Sequence, residues 1–253
     1  LNGIRGYRAN TGTSPSEALR GIGLDREAPL ALIIGSAMSL GGDLRQKTFS
    51  FAGHLNGIAN QTGMITAIGG VSTDLINQFS KARILSGAAS TALLSFAPEM
   101  GVDLGYQFAR DEIEVSVPMS RISHLIMLQT DTEIGQDPEL RERKDWEANT
   151  KFMFSTVAEM IKTRRPHAAF VIGGGEHSAI ETLEALCLGI PVICVNDSGR
   201  FAQDLGIAIR DGIQDGMLGC GTMEKILRHE DLIYAEPFGS PSLYATIKEI
   251  YGL

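Results

Sequence analysis

Six short apolar segments, each followed by a stretch of helical character, constrain this chain more than any other feature. Each is a near-continuous apolar run, which is typical of strands whose sheet is covered by helices on both faces. The segments are residues 28–37, 63–70, 91–99, 123–131, 168–175 and 190–195. Because strands that alternate with helices form right-handed βαβ units, we predict an α/β fold, a Rossmann-like parallel sheet sandwiched between helices.

The intervening segments carry helix signals, including N-cap residues and apolar positions at helical spacing. Helices are predicted over residues 43–61, 72–88, 146–163, 176–188, 199–212, 221–228 and 241–251. Residues 100–120 and the polar insertion before residue 146 show no such pattern. We therefore expect a single ligand-binding domain over residues 1–253, with an irregular lead-in over 1–28 and a C-terminal helical extension over 209–253 that includes a short strand near 232–237.

Charge and composition exclude several classes of function. The formal net charge of −8 argues against nonspecific binding of nucleic acid, which depends on Lys and Arg to neutralise phosphates. No apolar run reaches the roughly 18 residues of a membrane span. The cysteines are few and scattered, and Cys187 and Cys194 fall in apolar patterns, so we expect buried thiols, a cytoplasmic protein and no metal site.

Small residues follow four of the predicted strands. They are Gly35-Ser36, Gly69-Gly70, Gly173-Gly174-Gly175 and Ser198-Gly199-Arg200. Ligands of parallel sheets bind at the carboxyl ends of strands, where glycine allows close approach and the N–H groups of a helix start bind anions. A single glycine could simply form a tight turn, but four such strand ends together predict a ligand cleft.

The residues beside these glycines favour a phosphorylated ligand. Ser72, Thr73 and Ser178 carry hydroxyls that could either cap a helix or contact a phosphate. Arg200 offers a planar set of donors suited to phosphate. No Gly-x-x-x-x-Gly-Lys-Ser/Thr motif occurs, and the segment after the first strand only approximates Gly-x-Gly-x-x-Gly, so neither P-loop hydrolysis nor an ordinary dinucleotide dehydrogenase is expected.

Four segments, in order along the chain, resemble one protein family. "GGGEHSAIE" is similar to the GGxGTxxE signature of the SLOG superfamily, which includes the LOG phosphoribohydrolases and the DprA-like proteins. "GIPVICVNDSGRFAQDL" resembles a segment of the N-terminal domain of TRPM channels and its prokaryotic relatives. "IGGVSTDLINQFSKA" and "ISHLIMLQTD" are similar to two further patterns of that branch.

The resemblance implies a Rossmann-like domain that senses a nucleotide-derived ligand, such as ADP-ribose or an NAD-related molecule. No further cofactor is implied. The domain would act alone or be fused to an effector domain. Carried over by position, the implied ligand-binding residues are Gly35, Ser36, Gly69, Gly70, Ser72, Thr73, Gly173, Gly174, Gly175, Glu176, Ser178, Asn196, Asp197, Ser198, Gly199 and Arg200.

Catalysis by this cleft is the alternative, and it depends on Glu181 and His177. Glu181 keeps the acid of the GGxGTxxE signature, Ser178 replaces its Thr, and His177 stands where the pattern has glycine. His177 and Glu181 lie four residues apart and so share a helix face. In a LOG-like nucleoside-monophosphate phosphoribohydrolase, Glu181 would stabilise the ribosyl cation, with His177 or Lys151 assisting. In a pure binding domain they would be polar residues of a helix start.

The last predicted helix, in the sequence "SLYATIKEIYGL", has an apolar face that includes Leu243, Ile247 and Ile250. This face could join two copies of the chain into a homo-oligomer. It could equally pack against the chain's own sheet, and the sequence leaves both interpretations open.

Overall fold

One sheet of parallel strands forms the centre of the molecule. The structure, a computed structural model, describes residues 4–24, 27–35, 40–69, 74–87, 90–99, 122–130 and 138–253. In these residues the sheet has eight strands in the order β1-β5-β4-β3-β2-β6-β7-β8, and every pair is parallel. The strands are β1 (Arg5–Asn10), β2 (Leu30–Gly35), β3 (Ile65–Gly69), β4 (Leu93–Pro98), β5 (His124–Gln129), β6 (His167–Ile172), β7 (Val192–Val195) and β8 (Ile233–Glu236).

Helices cover both faces of the sheet. Those in the described residues are α1 (Pro15–Ile22), α2 (Gly42–Thr62), α3 (Asp74–Leu85), α4 (Pro138–Met160), α5 (Glu176–Cys187), α6 (Arg200–Asp211), α7 (Cys220–Leu227) and α8 (Pro241–Tyr251). The buried residues of α2, α3 and α8 form one core, and those of α1, α4, α5, α6 and α7 form the other. The predicted Rossmann-like sandwich is confirmed.

Strand β2 shows why the strand sequences are apolar without interruption. Leu30, Leu32 and Ile34 point into one core, whereas Ala31 and Ile33 point into the other. Successive side chains of a strand alternate between the two faces of its sheet. A strand with a helical layer on each face therefore needs an apolar residue at every position.

The chain reverses its direction of winding at β2. From β2 it adds β3, β4 and β5 on one side, and it then crosses over to add β6, β7 and β8 on the other. Gly35 at the end of β2 pairs in register with Ile172 at the end of β6. The carboxyl ends of β2 and β6 therefore border the crevice where open α/β sheets bind ligands.

Three expectations about local structure were wrong. Residues 1–28 are not an irregular lead-in, because they hold β1 and α1. Among the described strands, β1 lies at the edge of the sheet beside β5, and it is largely exposed, so it lacks the apolar run that marks the inner strands. Helix α4 begins at Pro138 inside the expected insertion, where charged residues form helix without apolar periodicity. The thiol of Cys187 is exposed, unlike that of Cys194.

The C-terminal segment matches its predicted elements and packs on its own sheet. Ser240 caps α8 by accepting a hydrogen bond from the Leu243 N–H at 3.0 Å, and Pro241 follows at the first helical position. Leu243 and Ile247 are fully buried, and the Tyr251 hydroxyl donates to the Leu30 carbonyl at 2.7 Å. The face of α8 is therefore occupied by the core.

Residues 100–120 lie outside the described residues, and no described helix has the length and apolarity needed to cross a membrane.

Gly35→Ala should destabilise the chain, because β2 and β6 leave no space for a side chain at this position. An added Cβ would lie 2.6 Å from the Ile172 carbonyl oxygen, which belongs to a central strand. We expect a loss of about 1–3 kcal/mol in the free energy of unfolding, measured by urea denaturation. Gly57→Ala is the matched control. Gly57 lies in helix α2, and its Cβ would have no described atom within 4 Å apart from the adjoining helix backbone, so we expect a gain of up to about 1 kcal/mol. Equal midpoints for Gly35→Ala and the wild type would contradict this close approach.

Candidate ligand-binding site

The predicted ligand-binding residues that the structure describes converge on one edge of the sheet. Gly35 and Gly69 are the last residues of β2 and β3, and Gly173–Gly175 and Asn196–Arg200 follow β6 and β7. Because parallel strands end at the same edge, the fold brings together residues more than 160 positions apart in the sequence. Glu176 and Ser178 lie in the first turn of α5, and the other predicted residues, Ser36, Gly70, Ser72 and Thr73, lie outside the described residues.

The loop of Gly173, Gly174 and Gly175, here called the glycine loop, connects β6 to α5. Gly173 and Gly174 have φ values of 62° and 88°, in the left-handed region that disfavours side chains. A Cβ on Gly174 would also lie 2.6 Å from the Ser178 side chain. Gly175 is the N-cap of α5 and provides no side-chain cap, so the loop delivers an uncapped helix start to the crevice.

The glycine loop is held by the segment that follows β7. The Gly173 N–H donates to the Ser198 hydroxyl at 2.7 Å, and Ser198 is only 3% exposed. The Gly173 carbonyl accepts from the Ala202 N–H at 2.9 Å, and the Gly174 carbonyl accepts from the Phe201 N–H at 3.5 Å. Helix α6 therefore directs its first N–H groups at the glycine loop. Ser198 serves here as an internal support of that loop.

Arg200 extends from this support toward the start of α5. Its backbone has φ of 54°, a left-handed conformation that non-glycine residues adopt at a cost. Its Nε donates to the Gly174 carbonyl at 3.0 Å, and its Nη2 lies 3.5 Å from the position of a Cβ on Gly175. The exposed guanidinium thus adds a positive charge beside the positive end of the α5 dipole. This arrangement suits an anion.

Two other predicted residues on α5 have partners within the protein. The Ser178 hydroxyl accepts from the Gly175 N–H and donates to the Gly35 carbonyl, each at 3.4 Å, which ties α5 to β2. The Glu176 carboxylate accepts from the Gly219 N–H at 2.8 Å and so contacts the start of α7. Both contacts fix the position of α5 relative to the sheet.

Asn196 and Asp197 contact the C-terminal part of the chain. The Asn196 N–H donates to the Glu236 carbonyl at 3.1 Å, and its side chain fills the space that a Cβ on Gly206 would need. The Asp197 carboxylate accepts from the Phe238 N–H at 2.7 Å and pairs with Lys47 of α2 at 3.2 Å. The sequence did not predict the roles of Lys47 and Phe238, because they lie 150 and 41 residues from Asp197 and no local pattern links them to it.

Glu181 and His177 lie together beside the end of β3. The Glu181 side chain is 12% exposed, and its Oε1 lies 3.6 Å from the position of a Cβ on Gly69 and 3.8 Å from His177 Nε2. The same His177 nitrogen is 2.9 Å from the Thr150 hydroxyl of α4, a partner that the sequence pattern did not reveal. Among the described residues, no group forms a hydrogen bond with the Glu181 carboxyl.

Burial favours the uncharged form of both groups, although the His177 side chain is 48% exposed. It raises the pKa of Glu181 from 4.5 to about 8. It lowers the pKa of His177 below 6.5, and nearby Glu147 partly opposes this change. A protonated carboxyl can donate as well as accept a hydrogen bond. The pair could therefore contact the hydroxyls or the base of a ligand, or deliver a proton to it. The described residues contain no cluster of three His, Cys, Asp or Glu side chains that could hold a metal ion.

Comparisons with known proteins identify relatives of this chain. The model of the family described as SLOG in TRPM, prokaryote, matches residues 28–232. No curated protein matches the chain. Among solved structures, the X-ray structure of TM1055, a target of the Northeast Structural Genomics Consortium, is similar over 87% of this chain and 98% of its own. The two share 15% identity, with a TM-score of 0.48.

Glu181→Gln should remove a pH dependence from the stability of the chain. Between pH 4.5 and about 8 the unfolded Glu181 is ionised and the folded one is not, so the wild type loses stability as the pH rises through this window. Residue 181 of the variant is neutral in both the folded and the unfolded state. As the pH rises, the free energy of unfolding of the variant should therefore increase relative to that of the wild type by up to about 1.4 kcal/mol per pH unit. Urea unfolding at several pH values in this window measures the difference.

Glu184→Gln, at an exposed position of the same helix, is the matched control and should follow the wild type at every pH. A difference between Glu181→Gln and the wild type that stays constant across the window would contradict a buried, protonated Glu181.

Proposed function

We propose a function for this chain, which belongs to the family described as SLOG in TRPM, prokaryote, whose model matches most of its length. The proposed function is to bind and sense a nucleotide-derived ligand, such as ADP-ribose or an NAD-related molecule, at the carboxyl ends of β2, β3, β6 and β7. The observation that carries the proposal is the position of Arg200 beside the uncapped start of α5. The domain acts in the cytoplasm, either alone or as a sensor fused to an effector domain that it regulates.

A phosphate of the ligand would bind at the start of α5. The first N–H groups of a helix have no partner within it, and Gly175 has no side chain to accept from them. These groups and the helix dipole attract an anion, and the Arg200 guanidinium adds a full charge with donors in a planar fork. The glycine loop has no Cβ atoms, so a phosphate can approach its backbone closely.

The sugar and base would extend from there toward β3. Gly69 exposes the backbone at the end of that strand, and the Glu181 carboxyl lies beside it. Because Glu181 is protonated at neutral pH, it can hydrogen-bond ribose hydroxyls without repelling the phosphates. By resemblance, Ser36, Gly70, Ser72 and Thr73 complete the set of ligand-binding residues.

Isothermal titration calorimetry with ADP-ribose, NAD and AMP tests this proposal. At least one of them should bind saturably, and Arg200→Ala should weaken that binding by at least about tenfold, because a charge-assisted contact to phosphate is lost. Alanine keeps a Cβ, so the backbone strain at position 200 is unchanged. Arg210→Ala, at the far end of the same helix, removes a surface cation paired with Asp211 and should bind as the wild type does. Failure of all three ligands to bind would overturn the proposal.

A second candidate function is that of a nucleoside-monophosphate phosphoribohydrolase. The observation that favours it is the nearly buried, protonated Glu181 carboxyl 3.8 Å from His177. Water would add to the ribose C1′ while the glycosidic C–N bond breaks, and the base would leave with a proton on its nitrogen. The protonated Glu181 could supply that proton, and the neutral His177 could accept the proton that the added water releases. Lys151, also considered from the sequence, is an exposed residue of α4.

Incubation of the protein with AMP, followed by chromatography for free adenine, tests for hydrolysis. If the chain is a hydrolase, adenine should appear, and Glu181→Gln should slow its release by about a hundredfold or more, because general acid–base catalysis contributes 10²–10⁴-fold. Glu184→Gln should keep the wild-type rate. Release at an unchanged rate by Glu181→Gln would exclude Glu181 as the catalytic residue, and absence of adenine would exclude this activity on AMP.

A further inference from the structure

We infer that Asp197 is a positioning residue, which fastens the support of the glycine loop to α2 and to the C-terminal segment, residues 233–253. The inference rests on the proposed function, since it assigns the control of ligand affinity at that site. It gives Asp197 a different role from the ligand contact that the family resemblance implies.

Both oxygens of the Asp197 carboxylate are engaged within the protein. Oδ1 accepts from the Phe238 N–H at 2.7 Å, and Oδ2 pairs with Lys47 Nζ at 3.2 Å. A hydrogen bond from a backbone N–H to an ionised carboxylate is among the stronger protein hydrogen bonds. A carboxylate would also repel the phosphate of the proposed ligand. The contacts therefore favour a role in holding the loop.

The engaged residue lies next to the support of the glycine loop. Ser198 follows Asp197 directly and accepts from the Gly173 N–H at 2.7 Å. Asn196 precedes it and donates its N–H to the Glu236 carbonyl of β8. A shift of Asp197 would therefore move the Ser198 hydroxyl, which accepts the hydrogen bond that orients the start of the glycine loop.

The C-terminal segment is a firm anchor for this contact. The Phe238 ring packs edge-on against Phe51 of α2, with centroids 5.7 Å apart. Leu243 and Ile247 of α8 are fully buried, and Tyr251 is bonded to the Leu30 carbonyl. These residues follow the last residue of the family match, so the anchor comes from a part of the chain outside that match.

The two contacts of Asp197 should contribute unequally to holding it in place. Lys47 is 41% exposed and also pairs with Asp43 one turn earlier, so its attraction to Asp197 is screened by water and salt. The hydrogen bond from Phe238 joins two backbone segments directly. Asp197→Asn keeps an oxygen that can accept it, whereas Asp197→Ala keeps none.

Calorimetry with ADP-ribose, NAD or AMP, whichever the wild type binds, tests the inference. Asp197→Ala should weaken binding by about tenfold, while Asp197→Asn and Lys47→Met should stay within about threefold of the wild type. The Lys47→Met deficit should shrink at high salt. Asp211→Ala removes a surface carboxylate of similar exposure, paired with Arg210 on the far end of α6, and should have no effect. Wild-type affinity in Asp197→Ala would overturn the inference.

Hydrogen exchange measured by mass spectrometry gives a second readout that needs no ligand. Asp197→Ala should speed amide exchange in the peptides that cover Gly173–Ser178 and Phe238–Leu243, and Asp211→Ala should leave both unchanged. Unchanged exchange in Asp197→Ala would contradict the coupling. If the wild type binds none of the probes, the proposed function fails, while faster exchange in this variant would still support the role of Asp197 in holding the loop.

Discussion

The hydrogen bonds between the glycine loop and the segment after β7 are the interaction on which the candidate site depends. The glycines alone would leave a loop with many accessible conformations, because glycine tolerates both signs of φ. The Ser198 hydroxyl and the first N–H groups of α6 select one of them by bonding to Gly173 and Gly174. In that conformation the start of α5 is uncapped and Arg200 lies beside it. The geometry that the proposed anion site requires thus follows from contacts within the protein.

The position of the site follows from the change in winding direction at β2. Strands β2 and β6 are neighbours in the sheet although α2, β3, α3, β4, β5 and α4 separate them in the chain. Helices on both faces bury the sheet, so its edge at the carboxyl ends is where backbone groups can meet a ligand. Gly35 and Ile172 approach closely there, and the absence of a side chain at Gly35 makes that approach sterically feasible.

The charge state of Glu181 fits an anionic ligand. The chain has a net charge of −8, and an ionised carboxylate close to the α5 start would oppose a phosphate. Burial between α5, α4 and the end of β3 keeps Glu181 protonated at neutral pH and turns it into a hydrogen-bonding group without charge. His177, held by Thr150, is neutral as well. Neither group therefore adds a negative charge that would oppose a ligand phosphate.

The sequence by itself determined the inner strands, most helices and the strand ends that carry glycine, because burial on two faces demands a continuous apolar run and tight turns demand small residues. It did not reveal β1, whose exposed residues lack that run, or the full length of α4. Only the tertiary structure decided the partners of the site residues. Ser198, Glu176 and Asp197 bond to residues 25, 43 and 41 positions away. Sequence periodicity records which face of an element is buried, whereas the crossovers of the sheet decide which distant group faces it.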